Sequence, residues 1–111
     1  MATVFNLFID QGTDYSANII AKTTAGVVRD LTGYTGRGQL RRSYFSANTI
    51  PFSVDIPVPS NGNVIIALSN STTANLKYGR YVYDVELVVT ATGNVERLQE
   101  GIVTVNPEVT R

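Results

Sequence analysis

The residues that most often carry catalysis are missing from this chain of 111 residues, which contains neither histidine nor cysteine. A histidine base, a thiol nucleophile and the usual zinc ligands are therefore all lacking. Asp84 and Glu86 would share one face of a strand, and a pair of carboxylates can serve a glycosidase. So small a domain has little volume for the necessary cleft, and two solvated charges, paired with Arg80 or Arg97, are the favoured interpretation. An enzyme is the least favoured class of function.

Two other patterns contain residues that could bind calcium or phosphate, but their spacing is not that of a known binding loop. Asp10, Asp14 and the loop Asp30–Thr32 carry oxygen atoms that suit calcium, but they do not follow the spacing of a calcium loop, and turn capping explains them better. The glycine-rich run 33–38 lacks the Lys-Ser/Thr of a phosphate-binding loop and does not open a helix. We interpret it as a flexible or bulged connection. Neither a metal ion nor a cofactor is predicted.

One basic stretch is interleaved with aromatic residues: Arg37, Arg41 and Arg42 with Tyr34, Tyr44 and Phe45. Such patches can hold single-stranded nucleic acid by stacking and phosphate contact. Nine basic residues balance nine acidic ones, however, so the chain has no overall field to attract a polyanion. Arginine and tyrosine are also enriched at protein contacts, which makes a strand face plus a protein interface the preferred interpretation.

The best-specified element is a strand over Tyr78–Val89. Its apolar and aromatic residues alternate with polar ones, which is the period of a strand half buried against a core. The face predicted to be buried carries Tyr81, Tyr83, Val85, Leu87 and Val89. A helical period would scatter these side chains, and β-branched and aromatic residues favour a pleated surface.

Further strands are predicted on both sides of this one: Thr3–Ile9, Tyr15–Thr23, Val27–Leu31, Gln39–Ser43, Ile50–Ile56, Val64–Leu68 and Val95–Val105. The first is apolar on both faces, which indicates cover on two sides or pairing beyond the domain. Because Pro51 lacks a backbone N–H, we predict that Ile50–Ile56 is an edge strand. A turn at Asn61-Gly62 is predicted to join it in a hairpin to the strand Val64–Leu68.

The segment Asn70–Leu76 predicts one helical turn, capped by Asn70 or Ser71, with Leu76 pointing inward. In the last strand we expect Leu98, Ile102 and Val103 to contribute most to the core. Gly101 is a plausible bulge there.

Seven or eight short strands separated by turns predict a single all-β domain over residues 1–111, an antiparallel sandwich. A closed barrel is the alternative, disfavoured because proline-marked edge strands imply open sheets. Without cysteine, redox chemistry does not decide the compartment. We see no signal peptide and no stretch of the length that a membrane span requires, so we expect synthesis and folding in the cytosol.

The strand entry Leu76–Val85 resembles the Gly-x-Tyr entry to the sixth strand of immunoglobulin-like domains, where a helical turn precedes a tyrosine corner. On this resemblance Gly79 is the turn glycine and Tyr81 the corner tyrosine. Tyr83 stands where antibody domains carry a cysteine. Because the chain has neither cysteine nor tryptophan, the resemblance implies a similar sandwich and not an antibody-type domain.

A wider string resembles small structural proteins of tailed-phage virions and the immunoglobulin-like N-terminal domain of phage baseplate upper proteins. It runs through Phe8–Gly12, Asp30–Tyr34, Gly79–Val85 and Arg97–Arg111. The resemblance implies a non-enzymatic virion component, made in the host cytoplasm, whose partners are other virion proteins or its own copies, in the head, neck or baseplate.

The contacts of such a subunit are expected in the N-terminal strand, the Tyr34–Phe45 arm and the C-terminal tail. The candidate interface residues are Phe5, Leu7, Tyr34, Arg37, Arg41, Tyr44, Phe45 and Val109. The alternative function is a carbohydrate-binding or host-adhesion module, for which a row of exposed tyrosines would form the platform. Neither a membrane nor nucleic acid is an expected partner.

Overall fold

Two β-sheets facing each other make up the computed structural model, which describes residues 3–23 and 25–109. The strands are β1 (Thr3–Val4), β2 (Leu7–Asp10), β3 (Tyr15–Ile20), β4 (Tyr34–Arg41), β5 (Ile50–Pro51), β6 (Ser53–Asp55), β7 (Asn63–Leu68), β8 (Gly79–Val89) and β9 (Val95–Asn106). A helical turn, α1 (Asn70–Ala74), and a 3-10 turn (Pro59–Asn61) complete the elements. No described helix has the length and apolarity to cross a membrane. Residues 110 and 111 of the predicted tail lie outside the described residues.

The larger sheet has the strand order β1-β9-β8-β4-β5, with β2 also pairing with β9, and the smaller sheet has the order β3-β7-β6. Together they form an immunoglobulin-like β-sandwich, as predicted. The predicted face of β8 supplies its share of the core, because Tyr81, Tyr83, Val85 and Leu87 are all buried. They pack between the sheets against residues such as Ile66 of β7.

The N-terminal strand differs from the prediction in two ways. It is broken into β1 and β2, and both pair in parallel with β9, so this edge of an otherwise antiparallel sheet is parallel. Of the two alternatives for its apolar faces, cover on two sides is wrong, because Leu7 and Ile9 are buried whereas Phe8 between them is exposed. Pairing beyond the domain stays a prediction. Alternation indicates which side chains share a face of the strand, but not whether other residues cover the second face.

The strand predicted at Gln39–Ser43 begins earlier, at Tyr34, so the prediction of a connection over the glycine run 33–38 holds for Gly33, which lies in a turn, and is wrong for the rest. Gly36 and Gly38 lie inside β4, paired with Leu87 and Val85 of β8. A Cβ atom on Gly36 would lie 2.5 Å from Cγ1 of Val54 on the facing sheet. Gly36 therefore lets the other sheet approach closely, a use of glycine that resembles a loop signal in sequence.

The segment Ile50–Ile56 is an edge strand, as predicted, and it serves both sheets. Its first part, β5, pairs with β4, and its second part, β6, pairs with β7 in the other sheet. Phe52, at the crossing point, is buried. The predicted hairpin to β7 is confirmed, with Gly62 in the left-handed region at φ 66°.

Three smaller predictions are corrected. Of the strand predicted at Val27–Leu31 only a single bridge, Lys22 to Val28, is found. In β9 the buried residues include Gln99 and Val103, whereas Ile102 is 41% exposed. The register shift lies opposite Val85/Glu86 and not at Gly101.

The helical turn α1 forms where predicted, but its N-cap is Ser69, one residue before Asn70. The Ser69 hydroxyl accepts a bond from the backbone N–H of Thr72, which satisfies a free donor of the first turn. Leu76 is buried, as expected.

Candidate functional site

The tyrosine corner joins the helical-turn end of the sandwich to β8. The Tyr81 hydroxyl donates to the carbonyl of Lys77 at 2.9 Å, and Gly79 has φ 128°, so both features expected of the corner are present. The Arg42 guanidinium lies 4.9 Å from the centre of the Tyr81 ring and covers it from the solvent side. The corner therefore serves the fold.

Tyr83 fixes the N-terminal segment to the sheet. Its buried hydroxyl donates to the carbonyl of Phe5 and accepts from Nε2 of Gln99 at 2.9 Å. Burial raises its pKa to about 12. In place of a disulfide, this position carries a hydrogen-bond junction between β8, β9 and the break between β1 and β2.

The break at Phe5 and Asn6 is held by β9 as well. The Phe5 N–H donates to the carbonyl of Glu100 at 2.9 Å, and the Asn6 side-chain oxygen accepts from the N–H of Ile102 at 3.1 Å. A Cβ atom on Gly101 would lie 2.3 Å from the Phe5 carbonyl oxygen, so only glycine admits the segment this close. The break between β1 and β2 is thus fixed by specific hydrogen bonds to β9 and by the glycine at position 101.

Because of this break, some of the predicted interface residues of the N-terminal strand are exposed and others are buried. Phe5 and Phe8 are 58% and 67% exposed, and Val4 is also exposed. Leu7 is only 3% exposed, so its prediction as an interface residue is wrong. Its side chain points to the inner face of the sheet, where it packs in the core.

The outer face of the larger sheet carries a mixed apolar and charged surface beside this segment. Phe8 pairs with Thr104 on β9, and Ile102 pairs with Val82 on β8, so Phe8, Ile102 and Val82 lie on the outward side. Next to Val82 an open depression of about 290 Å³ is bordered by the exposed ring of Tyr44. We call these four residues with the charges beside them the outer face.

Salt bridges connect the charged residues of the outer face. Arg97 lies 3.5 Å from Asp84 and 2.9 Å from Glu100, and Arg37 lies 2.8 Å from Glu86. The expected pairing of Asp84 with Arg97 is present. Glu86 pairs with Arg37, and neither carboxylate pairs with Arg80 among the described ion pairs.

Partial burial raises the pKa of Asp84, and the neighbouring Glu86 adds to this, while Arg97 counteracts it. Both Asp84 and Glu86 are already bonded to arginines and lie on an open sheet face. Carboxylates held in this way suit pairing with charges of a partner protein. They suit proton transfer less well, because that requires an enclosed cleft.

The Tyr34–Phe45 arm does not form one surface. Tyr34 is partly buried against the core, with the Arg29 guanidinium 5.6 Å from its ring centre. Arg41 donates to the carbonyl of Ser46 at 3.0 Å and shapes the loop after β4. Phe45, at the tip of that loop, is 98% exposed. In the tail, Val109 is also exposed.

The aspartates considered for calcium serve turns and caps. Asp14 accepts from the N–H of Asn70 at 2.8 Å, and Asp30 accepts from the N–H of Thr32 at 2.9 Å. Asp10 accepts from Asn106 at 3.2 Å. Within residues 3–23 and 25–109, no three acidic side chains converge as a metal site.

The tyrosines do not form a row on the surface. Tyr44 and Tyr78 are the two largely exposed ones, and they lie in separate loops, after β4 and before β8. Tyr81 and Tyr83 are needed for the core. The platform expected for the carbohydrate-binding alternative is therefore not assembled.

No protein-family model and no curated protein matches this chain. Among solved structures it is similar to InlP of Listeria monocytogenes, with 16% identity and a TM-score of 0.50 over 95% of this chain and 28% of that one. It is also similar to the NK cell receptor NKp44, a triggering partner in natural cytotoxicity, with 10% identity and a TM-score of 0.48 over 96% and 99% of the two chains. A family 123 glycoside hydrolase from Clostridium perfringens has 14% identity and a TM-score of 0.46 over 97% and 24%.

The present chain thus spans about a quarter of InlP. At this level of identity the likeness to InlP concerns the sandwich fold alone, and a fold hosts many unrelated functions.

Proposed function

We propose that this protein is a non-enzymatic structural subunit of a tailed-phage virion, in the head, neck or baseplate, which works through protein-protein contacts. The resemblance of its sequence to small virion proteins motivates the choice of particle. The observation that carries the proposal is the exposure of three of its four phenylalanines.

Phe5, Phe8 and Phe45 are 58%, 67% and 98% exposed, and only Phe52 is buried. Phenylalanine is among the residues most often found inside proteins. Fully burying one such side chain is worth about 1.5–3 kcal/mol, of which the isolated domain obtains only a part from Phe5 and Phe8 and almost nothing from Phe45. A partner that covers them would supply this free energy, and aromatic residues are enriched at interface centres.

The charges of the outer face support the same function. Arg37 and Arg97 hold their carboxylate partners in defined positions beside the apolar residues. With nine charges of each sign, the chain gains no long-range attraction to a partner, so recognition depends on short-range matching of shape and charge. Such contacts suit a subunit with a fixed neighbour.

The first test is mass spectrometry of purified particles of the phage that encodes the chain. We expect the protein at a fixed copy number per particle, and its absence from intact particles would overturn the proposal.

A second test uses the double variant Phe5→Ser/Phe8→Ser in a complementation assay. Losing two buried rings from a contact should lower incorporation by at least about tenfold. The matched control is Val27→Ser/Val58→Ser, which alters two exposed apolar residues outside this segment. Melting temperatures of all variants show whether each one folds.

A further inference from the structure

One edge of the smaller sheet is uncovered. β3 pairs with β7 on one side, and no described strand lies on its other side. In the described residues, the backbone groups of β3 are hydrogen-bonded to β7 alone. The N-terminal segment, which would be the nearest chain to cover this edge, pairs with β9 of the other sheet.

The register identifies the free groups. Just beyond β3, the N–H of Ala21 donates to the carbonyl of Gly62 at 2.8 Å, which makes this a hydrogen-bonded pair. Hydrogen-bonded and non-bonded pairs alternate along antiparallel strands. The N–H and C=O groups of Ser16, Asn18 and Ile20 therefore point away from β7, to the open edge.

β3 lacks the devices that usually prevent pairing at an edge. Its six residues include no proline and no charged side chain. Its one neighbour among the described strands, β7, pairs with it without a break over all six positions. Edge strands of this kind are templates for an added strand unless something covers them.

A cleft runs beside this edge, between the two sheets. It has a volume of about 380 Å³, and its lining includes Phe5, Ile19 and Leu98 from the two sides. Lys22 lies on its lining as well and forms no ion pair among the described residues. The cleft thus combines apolar walls at Phe5, Ile19 and Leu98 with polar lining residues such as Asn18 and Gln99, and it carries the positive charge of Lys22.

We infer that the free edge of β3 accepts an extended segment of a partner virion protein as an added strand. The segment would form backbone hydrogen bonds with Ser16, Asn18 and Ile20, and alternate apolar side chains would enter the cleft beside Phe5. A carboxylate in the segment would pair with Lys22. This inference rests on the proposed function, because the segment belongs to a neighbouring subunit.

A second copy of β3 fits this edge less well than a foreign segment does. In a pair of β3 strands, the inward side chains of the second copy, Tyr15, Ala17 and Ile19, would already be packed in their own core. They could not also fill the cleft. A segment without a core of its own can place all its alternate side chains there.

Hydrogen-deuterium exchange of the free protein and of assembled particles tests the inference. In the free protein, the amides of Ser16, Asn18 and Ile20 should exchange at least about 100-fold faster than those of Ala17 and Ile19, which β7 protects. In particles the three free amides should become protected by a similar factor. Continued fast exchange there, in a particle that contains the protein, overturns the inference and leaves the proposed function standing.

The matched variants are Asn18→Pro and Asn18→Thr. Proline removes an N–H that points away from β7, a position where edge strands tolerate it, and threonine keeps that N–H. We expect Asn18→Pro to lower incorporation at least tenfold and Asn18→Thr to leave it unchanged, with both proteins folded. Equal incorporation of the two overturns the inference, and if Asn18→Pro does not fold, the exchange experiment on the natural chain decides.

Discussion

Replacing Tyr83 by phenylalanine removes one oxygen atom from the junction that holds the N-terminal segment. The hydroxyl donates to the Phe5 carbonyl and accepts from the Gln99 side chain, so two hydrogen bonds are lost. Each such bond contributes about 1 kcal/mol net, and a buried amide left without a partner costs about 1–3 kcal/mol. Gln99 is 7% exposed, and counting about 1 kcal/mol for the bond to Phe5 and about 1–2 kcal/mol for the Gln99 amide, we expect a total loss of about 2–3 kcal/mol.

The assay is thermal unfolding followed by circular dichroism. For 111 residues, an unfolding entropy of about 2.1 cal/mol/K per residue converts this loss into a fall in Tm of about 9–13 °C. The double variant Tyr83→Phe/Gln99→Leu should recover part of it, because it removes the orphaned amide together with its partner. A Tm within about 2 °C of the natural chain for Tyr83→Phe refutes the reasoning.

Alkaline unfolding gives an independent readout of the same hydroxyl. The pKa of Tyr83 is raised to about 12 in the folded protein, above the ordinary value of 10.0. The unfolded chain therefore loses the proton first, and the stability that the neutral hydroxyl contributes falls as pH rises from 10 toward 12. Tyr83→Phe should flatten this part of the stability curve, and an unchanged slope would show that another group causes it.

Tyr81→Phe removes the corner bond to Lys77 and should cost about 1 kcal/mol in urea unfolding; an unchanged midpoint would show that this bond contributes nothing. Gly36→Ala should cost about 1–3 kcal/mol because its new Cβ meets Val54, and Val54→Ala in the same chain should relieve this cost; failure of that rescue would place the strain elsewhere. Because burial raises the pKa of Asp84 above 3.8, the folded state holds this proton more tightly, and stability falls as pH rises through the shifted pKa. Asp84→Asn should remove that part of the pH dependence in unfolding experiments, and a variant that is destabilised at pH 7 with the slope retained would contradict this.

Periodicity predicted the elements whose two faces differ. In β8, inward aromatic and aliphatic residues alternate with Arg80, Asp84 and Glu86, and the predicted buried face is the one observed. The prediction failed where one residue type occurs in two kinds of structure, as glycine does in loops and inside strands. Gly36 and Gly38 indicated a loop, yet both lie inside β4, where Gly36 allows Val54 of the facing sheet to approach, which depends on distant residues.

The candidate site was predictable only in part. Phe5, Tyr44 and Phe45 are exposed as expected, because segments that interrupt the alternation leave their side chains without an inner face. Leu7 could not be separated from Phe5 by sequence, since the break in the strand depends on Tyr83 and Gly101. The open edge of β3 was also invisible, because local sequence does not reveal which strands become neighbours.

The parallel pairing of β2 with β9 has a mechanical consequence. The chain enters the larger sheet through β1 and β2 and leaves it through β9, and four residue pairs, from Leu7/Val103 to Asp10/Asn106, link β2 and β9 side by side. A pull applied to the chain on both sides of the domain would load these strands in opposite directions along their length. The hydrogen bonds between them would then share the force and resist shear together, instead of opening one after another. A domain tied in this way can bear tension along its chain while its core stays closed.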